Sequence, residues 1–212
     1  MITIAIAKGR MQNEAVSLLA QSGVRLDNAA LTSRCLTVAD EKGHYRVIFV
    51  KPADVPVYVE HGIADCGIVG RDVLLESESD LLIPLDLRIA RCRLVVAAAT
   101  ADASAEQRGM LRVATKYPHL TGEYFGTRGV PVEIIRLSGS VELAPALGLA
   151  DMIVDLVETG TTLRENGLSV VDTITDSSGR LVVNRASYQL KATSISQLID
   201  SLAKAVNGVR TA

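Results

Sequence analysis

The sequence contains no tryptophan, and only 3% of its residues are aromatic. A core therefore has to be built from the aliphatic residues Ala, Val, Ile and Leu. Hydrophobic residues make up 48% of the 212-residue chain, which is enough to bury a substantial interior. Aliphatic cores of this kind suit layers of strands and helices, so the composition predicts an α/β protein.

The sequence also lacks any block of a single charge sign. Its formal net charge is −2, and Lys and Arg are scattered without the basic run that a row of nucleic-acid phosphates would require. Binding to nucleic acid is therefore not expected. Any anion that binds should be small and held by a few local cations or by backbone N–H groups.

Targeting and metal-binding patterns are missing as well. No apolar segment approaches the roughly 20 residues that span a bilayer, and the first charges follow the initial apolar run instead of preceding it. Cys35, Cys66 and Cys92 are widely spaced, with no C-x-x-C pair and no nearby His. We therefore expect a cytoplasmic protein with reduced thiols, no membrane association and no metal site of Cys and His, and we assign no side chain as a direct metal ligand.

Short apolar runs alternate with segments of helical periodicity along the whole chain. Strands are predicted at 2–7, 35–39, 45–50, 63–70, 81–87, 92–99, 111–115, 132–135, 151–156, 168–174 and 180–185. Helices are predicted at 11–22, 52–61, 102–108, 117–128, 140–148, 160–166 and 193–206. Strands alternating with helices in this way predict parallel sheets joined by βαβ crossovers.

The order of these elements predicts two lobes. The strand from Arg91 to Ala99 leads into a new set of strand and helix units, and the segment from Val170 to Val183 returns after those units are complete. We expect one lobe from residues 1–90 plus 172–212 and a second from 91–171. Two hinge crossings would join them, with a ligand in the cleft between the lobes.

The most informative stretch is 151–164, an apolar strand followed by a Gly/Thr loop and the start of a helix. Unpaired backbone N–H groups and the positive end of the helix dipole favour an anion at such a position. Gly160 permits close approach to the backbone. Hydroxyl donors come from Thr159, Thr161 and Thr162. We expect a small cup for a phosphate monoester, and the alternative is an ordinary helix cap by Thr159.

Two carboxylates flank this cup. Asp155 and Glu158 would repel a free phosphate, so their presence indicates a further role, such as binding the two hydroxyls of a ribose or a magnesium ion. A sugar phosphate is therefore a better candidate ligand than inorganic phosphate.

Five segments in order carry a resemblance to a known family. They are Ala-Lys-Gly-Arg at 7–10, Ala-Asp-Cys-Gly-Ile-Val-Gly-Arg-Asp at 64–72, Ala-Thr-Lys-Tyr-Pro at 114–118, Gly-Ser-Val-Glu-Leu-Ala-Pro at 139–145 and Glu-Thr-Gly-Thr-Thr at 158–162. The last resembles the phosphoribosyl-pyrophosphate loop of phosphoribosyltransferases. The ordered set, which covers nearly the whole chain, resembles the ATP phosphoribosyltransferases, in particular their short form.

This resemblance implies an activity, a fold and partners. The expected reaction joins N1 of the adenine of ATP to ribose C1 of phosphoribosyl pyrophosphate and releases pyrophosphate, the first step of histidine biosynthesis. The resemblance also implies two α/β lobes like those of type II periplasmic solute-binding proteins, and magnesium bound with the substrates. It further implies a homodimer that joins a regulatory subunit related to histidyl-tRNA synthetase.

The site residues that we infer fall into three groups. For phosphoribosyl pyrophosphate they are Asp155, Glu158, Thr159, Gly160, Thr161 and Thr162. For ATP or pyrophosphate they are Lys8, Gly9, Arg10, Lys51, Asp65, Gly67, Gly70, Ser138, Gly139 and Glu142. Lys8, Arg10 and Arg34 are the candidate catalytic cations, which would neutralise the leaving group.

Each inference has a simpler alternative. The cations Lys8, Arg10 and Arg34 would then be solvated surface charges. Gly67 and Gly70 would serve a tightly packed strand and turn, and a serine of the 138–140 turn would cap a helix. No side chain stands out as a general base. Two other functions also remain open on the sequence, namely a phosphoribosyltransferase for another base and a two-lobed solute-binding or sensing module.

Overall fold

The computed structural model describes residues 1–27, 35–99 and 110–208. The chain divides into unit 1, with Met1–Ala90 and Ser178–Ala212, and unit 2, with Arg91–Ser177. The helix predicted at 102–108 lies outside the described residues.

Unit 1 is built on a mixed six-stranded sheet. Its strands are β1 (Ile2–Ala7), β2 (Thr37–Ala39), β3 (Tyr45–Val50), β4 (Cys66–Gly70), β5 (Leu82–Asp86) and, after unit 2, β11 (Gly179–Val183). The strand order is β2-β3-β1-β4-β11-β5. β1 is parallel to both of its neighbours, whereas β2, β11 and β5 pair antiparallel. The expectation of parallel sheets is therefore correct only for the centre, because β11 enters the sheet from unit 2 and not through a crossover helix.

Helices pack on both faces of this sheet. They are α1 (Gln12–Gln21), α2 (Asp54–Glu60), α3 (Arg71–Ser77), α7 (Arg185–Leu190) and α8 (Ala192–Gly208). Ile4 and Ile6 of β1 belong to a buried cluster that includes Leu198 and Leu202 of α8. Ala5 of β1 belongs to the cluster on the other face, which includes residues of α2 and α3. Burial on both faces explains why β1 is a continuous apolar run without alternation.

Unit 2 contains a mixed five-stranded sheet. Its strands are β6 (Cys92–Ala99), β7 (Leu111–Thr115), β8 (Val132–Arg136), β9 (Met152–Val157) and β10 (Leu168–Ser177), in the order β10-β6-β9-β7-β8. Its helices are α4 (Pro118–Gly126), α5 (Leu143–Ala146) and α6 (Thr161–Glu165). β7 is parallel to β8 and β9, whereas β6 is antiparallel to β9 and β10. Since β10 stays paired with β6 as far as Ser177, it extends beyond the strand end predicted at 174 and past the expected lobe boundary at 171/172.

Two short helices, α3 and α7, are absent from the sequence prediction. The second shows why they are hard to predict. The Asn184 side chain accepts a hydrogen bond from Ser187 N at 2.8 Å, so the helix begins directly after β11. The strand predicted at 180–185 therefore ends at Val183, and residues 184 and 185 begin the helix.

Asp65 connects β4 to two distant parts of unit 1. Its buried carboxylate accepts hydrogen bonds from Thr3 N at 2.9 Å, from Ser187 Oγ at 2.7 Å and from Lys191 Nζ at 2.8 and 2.9 Å. Burial alone would raise the pKa of Asp65, but these hydrogen bonds and the Lys191 charge outweigh it and lower the pKa. Burial and the adjacent Asp65 charge raise the pKa of the Cys66 thiol to about 12, so this thiol stays protonated.

We expect Asp65→Asn to lower the free energy of unfolding by about 2 kcal/mol, because Lys191 and the Thr3 amide lose their anionic acceptor. Since folding lowers the pKa of Asp65, its contribution is fully present above the ordinary value of 3.8 and is lost as the pH falls through the folded pKa. Urea unfolding at neutral pH and near pH 3 measures the effect. Asp200→Asn, at an exposed position of α8, is the control. A difference from wild type that is equal at both pH values would contradict this role.

Candidate active site

Three parallel strands of unit 1 end at one edge of its sheet. Ala7 of β1 pairs with Val50 of β3, so Lys8 and Lys51 follow neighbouring strands at the same level. Both lysines are exposed. β4 is parallel to β1 on its other side and ends at Gly70. Loops at the carboxyl ends of such strands are the usual ligand positions in α/β sheets. We call Lys8–Arg10, Lys51 and Gly70 the unit 1 edge.

The loop Lys8–Arg10 is fixed at both ends. Lys8 N donates to Val50 O at 2.8 Å, and Gly9 O accepts from Gln12 N at 3.0 Å as α1 begins. Gly9 has φ +96°, a conformation that favours glycine. Arg10 Nη2 donates to Ala90 O at 3.1 Å, which anchors the guanidinium at the last residue of the first segment of unit 1. The backbone therefore holds these two cations, Lys8 and Arg10, at the sheet edge.

Gly67 and Gly70 of β4, and Asp65 directly before it, are predicted site residues with close contacts inside unit 1. A Cβ atom at Gly67 would lie 2.8 Å from Val55 Cγ1 and 2.9 Å from Val59 Cγ2. A Cβ atom at Gly70 would collide with Asp72 Oδ1. The Asp65 carboxylate is held by the three groups described above. These contacts favour the packing alternative for Gly67 and Gly70, and they give Asp65, directly before β4, a structural role. A nucleotide contact at the three positions stays a prediction.

In unit 2, the parallel strands β7, β8 and β9 also end at one edge. Thr115 of β7 pairs with Arg136 of β8 and with Val154 of β9. The loop 158–162, Lys116 and the turn 138–140 all follow these strands and share that edge, which we call the unit 2 edge. Lys116 lies within the motif at 114–118 but is not among the predicted site residues. Its position directly after a predicted strand could have identified it as a candidate site residue.

Arg93 is a second cation that sequence analysis missed. It is exposed on β6 and lies opposite Val157, the last residue of β9. Because β6 runs antiparallel to β9, the start of β6 lies beside the end of β9. Arg93 therefore belongs to the unit 2 edge, and only the strand register, which the sequence does not reveal, brings it there.

The start of α6 has the features expected of an anion cup. Gly160 is its N-cap residue with φ +76°, a left-handed conformation. Because the N-cap residue is Gly160 and not Thr159, the structure does not show the ordinary cap by Thr159 that was the alternative. The leading N–H groups of a helix have no acceptor within the helix itself, and Gly160 has no side chain to supply one.

Threonine hydroxyls cluster at this helix start. Thr159 Oγ1 and Thr161 Oγ1 lie 3.1 Å apart, and both residues are exposed. Arg164 Nη2 donates to Thr161 Oγ1 at 3.2 Å, and Arg164 Nη1 donates to Thr159 O at 3.3 Å. Thr162 is exposed as well, and its carbonyl oxygen accepts from Asn166 Nδ2 at 2.9 Å. The loop therefore presents backbone and hydroxyl donors to solvent within a few ångströms of one another.

The two carboxylates lie just before this loop. Asp155 is half-buried near the end of β9, and its Oδ1 accepts from Leu156 N at 2.8 Å. Glu158 is exposed directly after the strand. The sequence-predicted residues from Asp155 to Thr162 are thus together in one short segment of unit 2.

The 138–140 turn follows β8. Leu137 N donates to Thr115 O at 2.9 Å, and Leu143 N donates to Ser140 O at 3.2 Å. Ser140 has φ +49°, and Ser138, Gly139 and Ser140 are exposed. Glu142 is the N-cap residue of α5, and in the described structure no side-chain hydrogen bond caps this helix. The serine cap considered from the sequence is therefore wrong, whereas an anion contact at this turn stays a prediction.

The remaining predicted features concern Arg34, metals and membranes. Arg34 lies outside the described residues. Within residues 1–27, 35–99 and 110–208, no three His, Cys, Asp or Glu side chains are grouped as a metal site would require. Of the helices described, none has the length and hydropathy needed to cross a bilayer.

The sequence is similar to known enzymes over almost its full length. The family model for HisG, ATP phosphoribosyltransferase, matches residues 51–204. The ATP phosphoribosyltransferase of Sorangium cellulosum is 47% identical over 98% of this chain and 97% of that protein. The enzyme of the same name from Alkaliphilus metalliredigens is 50% identical over 96% of this chain and 97% of its own length.

Solved structures give the same result. The ATP phosphoribosyl transferase (HisG:HisZ) complex from Thermotoga maritima contains a chain with a TM-score of 0.86 and 36% identity, covering 98% of this chain and 100% of that one. The periplasmic aliphatic sulphonate binding protein SsuA from Escherichia coli has a TM-score of 0.60 at 13% identity, covering 99% of this chain and 74% of that one. The second match concerns the fold alone, and it confirms the predicted periplasmic-binding-protein-like architecture.

These matches decide among the functions that the sequence left open. The relatives that match almost the full length of the chain are ATP phosphoribosyltransferases, in agreement with the five ordered motifs. They favour neither a transferase for another base nor a solute-binding module. The chain belongs to the ATP phosphoribosyltransferase family, whose members catalyse the first step of histidine biosynthesis.

Proposed function

We propose that the ATP phosphoribosyltransferase activity of this chain uses its two sheet edges for different anions. The loop 158–162 would bind the 5′-phosphate of phosphoribosyl pyrophosphate, and the unit 1 edge would bind the pyrophosphate group or the ATP phosphates. The observation that carries the proposal is the start of α6, where the N-cap residue Gly160 is left-handed and has no side chain, and where threonine hydroxyls cluster.

The reaction needs orientation and charge neutralisation more than proton removal. The bond from ribose C1 to pyrophosphate breaks, and a bond from C1 to adenine N1 forms. Adenine N1 already carries a lone pair, so no general base is required for the attack. Lys8, Arg10 and Lys51 would offset the charge that develops on the departing pyrophosphate, and Arg34 remains a candidate for the same role.

Asp155 and Glu158 suit the ribose of the same substrate. Carboxylates accept hydrogen bonds, so they match the two ribose hydroxyls next to a phosphate held by the cup. These carboxylates would also suit a magnesium ion bound with the substrates. It prefers oxygen ligands and is commonly held by substrate phosphates with one or two carboxylates, which these two residues can provide. When bound, it would offset charge on pyrophosphate.

The protein would also act with other subunits. The solved relative from Thermotoga maritima is a HisG:HisZ complex. We propose that this chain likewise joins a regulatory subunit related to histidyl-tRNA synthetase, and that it does so as a homodimer. A cytoplasmic location fits an enzyme that consumes ATP in amino-acid biosynthesis.

The activity is tested by incubating the chain, with its regulatory partner where needed, with ATP, phosphoribosyl pyrophosphate and magnesium. Formation of the N1-substituted adenine product, followed by its ultraviolet absorbance, is the expected result. Turnover with orotate or a free purine base but not with ATP would contradict it.

We expect Thr161→Ala to weaken phosphoribosyl-pyrophosphate binding by about 1–2 kcal/mol, because one of several donors to the 5′-phosphate is removed. Isothermal titration with that substrate and magnesium measures the loss, and ATP affinity should not change. Thr173→Ala is the matched control, since Thr173 is an exposed threonine on β10. An unchanged affinity for phosphoribosyl pyrophosphate would count against the cup.

We expect Arg10→Ala to lower kcat more than it raises KM for either substrate, because charge on the leaving group develops in the transition state. Steady-state kinetics with each substrate varied in turn measures the split. Lys204→Ala removes an exposed cation of α8 and serves as the control. A large rise in KM with kcat unchanged would instead assign Arg10 to a ground-state contact.

A further inference from the structure

Arg164 holds the loop 158–162 from the following helix. Its Nη1 donates to Thr159 O at 3.3 Å, and its Nη2 donates to Thr161 Oγ1 at 3.2 Å. The two acceptors lie on either side of Gly160. A planar guanidinium can hold two acceptors at a fixed spacing, whereas a lysine ammonium acts as a single point charge.

This contact also restricts the hydroxyl protons. A guanidinium only donates, so Thr161 Oγ1 must accept from Arg164, and the Thr161 proton must point elsewhere. Thr159 Oγ1 lies 3.1 Å from Thr161 Oγ1. Whichever hydroxyl donates to the other, one proton remains available, and both hydroxyls belong to exposed residues. An incoming acceptor can use that proton.

The backbone of the loop is held by the same residue. Arg164 N donates to Gly160 O at 3.2 Å. A Cβ atom at Gly160 would lie 3.4 Å from Arg164 Nη1, in a left-handed conformation that already disfavours a side chain. Arg164 therefore contacts three consecutive residues of the loop, Thr159, Gly160 and Thr161.

We propose that Arg164 is a positioning residue for phosphoribosyl pyrophosphate. It acts through Thr161 and the Thr159 carbonyl and does not touch the substrate, so the donors of the cup are aligned before the phosphate arrives. Donors held in place in advance lose less conformational freedom on binding, which raises affinity. This proposal rests on the proposed binding of the 5′-phosphate at loop 158–162.

The test is isothermal titration of the full chain with phosphoribosyl pyrophosphate and magnesium, using Arg164→Met, Arg164→Lys, Thr161→Ala and the Arg164→Met/Thr161→Ala double variant. Arg164→Met should weaken binding about tenfold, and Arg164→Lys should fall between it and wild type. The double variant should lose less binding free energy than the sum of the two single losses, because Arg164 acts partly through Thr161. ATP affinity and the thermal unfolding midpoint should not change.

Arg185→Met is the matched control, because Arg185 is an exposed arginine that donates twice to Asp80 in unit 1. Losses that add in the double variant would mean that Arg164 contacts the phosphate directly, and wild-type affinity in Arg164→Lys would mean that charge alone suffices. Either result overturns the positioning role. If Thr161→Ala weakens binding but Arg164→Met does not, only the positioning role fails. If neither variant changes the affinity, the proposed phosphate site itself is wrong.

Discussion

The candidate site depends on parallel strand pairing. Parallel neighbours share a direction, so the loops that follow them must lie at the same sheet edge. In unit 1 the pairing of β1 with β3 brings Lys8 beside Lys51, residues that are far apart in sequence. In unit 2 the pairing of β7 with β8 and β9 collects the loop 158–162, Lys116 and the 138–140 turn. Without this pairing, Lys8 would not lie beside Lys51, and Lys116 and the 138–140 turn would not share an edge with the loop 158–162.

Charged groups in unit 1 divide between stability and function. Asp65 and Lys191 form a hydrogen-bonded pair whose acidic partner is buried, and this pair joins β4 to the segment before α8. Lys8 and Lys51 are exposed and follow strands, where a solvated charge is available to a ligand. A charge that is committed to the fold loses its freedom to respond to a substrate, whereas an exposed charge costs little to maintain. The contacts proposed for Lys8 and Lys51 with substrate phosphates use exposed charges of the second kind.

Local patterns in the sequence predicted much of this arrangement. The strand, loop and helix at 151–164 are contiguous, so the anion cup could be predicted from that segment alone, and most strands were predicted for the same reason. Partners that come from distant segments could not be predicted. Gly67 is an example, because a glycine in a strand fits both a ligand contact and close packing, and only the structure shows Val55 and Val59 against it. Arg93 lies at the unit 2 edge through an antiparallel register, and the Arg164 contacts lie on either side of the left-handed turn at Gly160.

The position of β11 has a consequence for how the protein is made. β11 lies between β4 and β5 in the sheet of unit 1, yet the chain reaches it only after all of unit 2. During synthesis from the amino terminus, β5 therefore has no neighbour in its sheet until residues 179–183 have left the ribosome. The segment from Arg91 to Ser177 is continuous and has its own apolar cluster, so it can form its contacts earlier than the lobe that precedes it. The part of the chain that is translated first is thus the last to be completed.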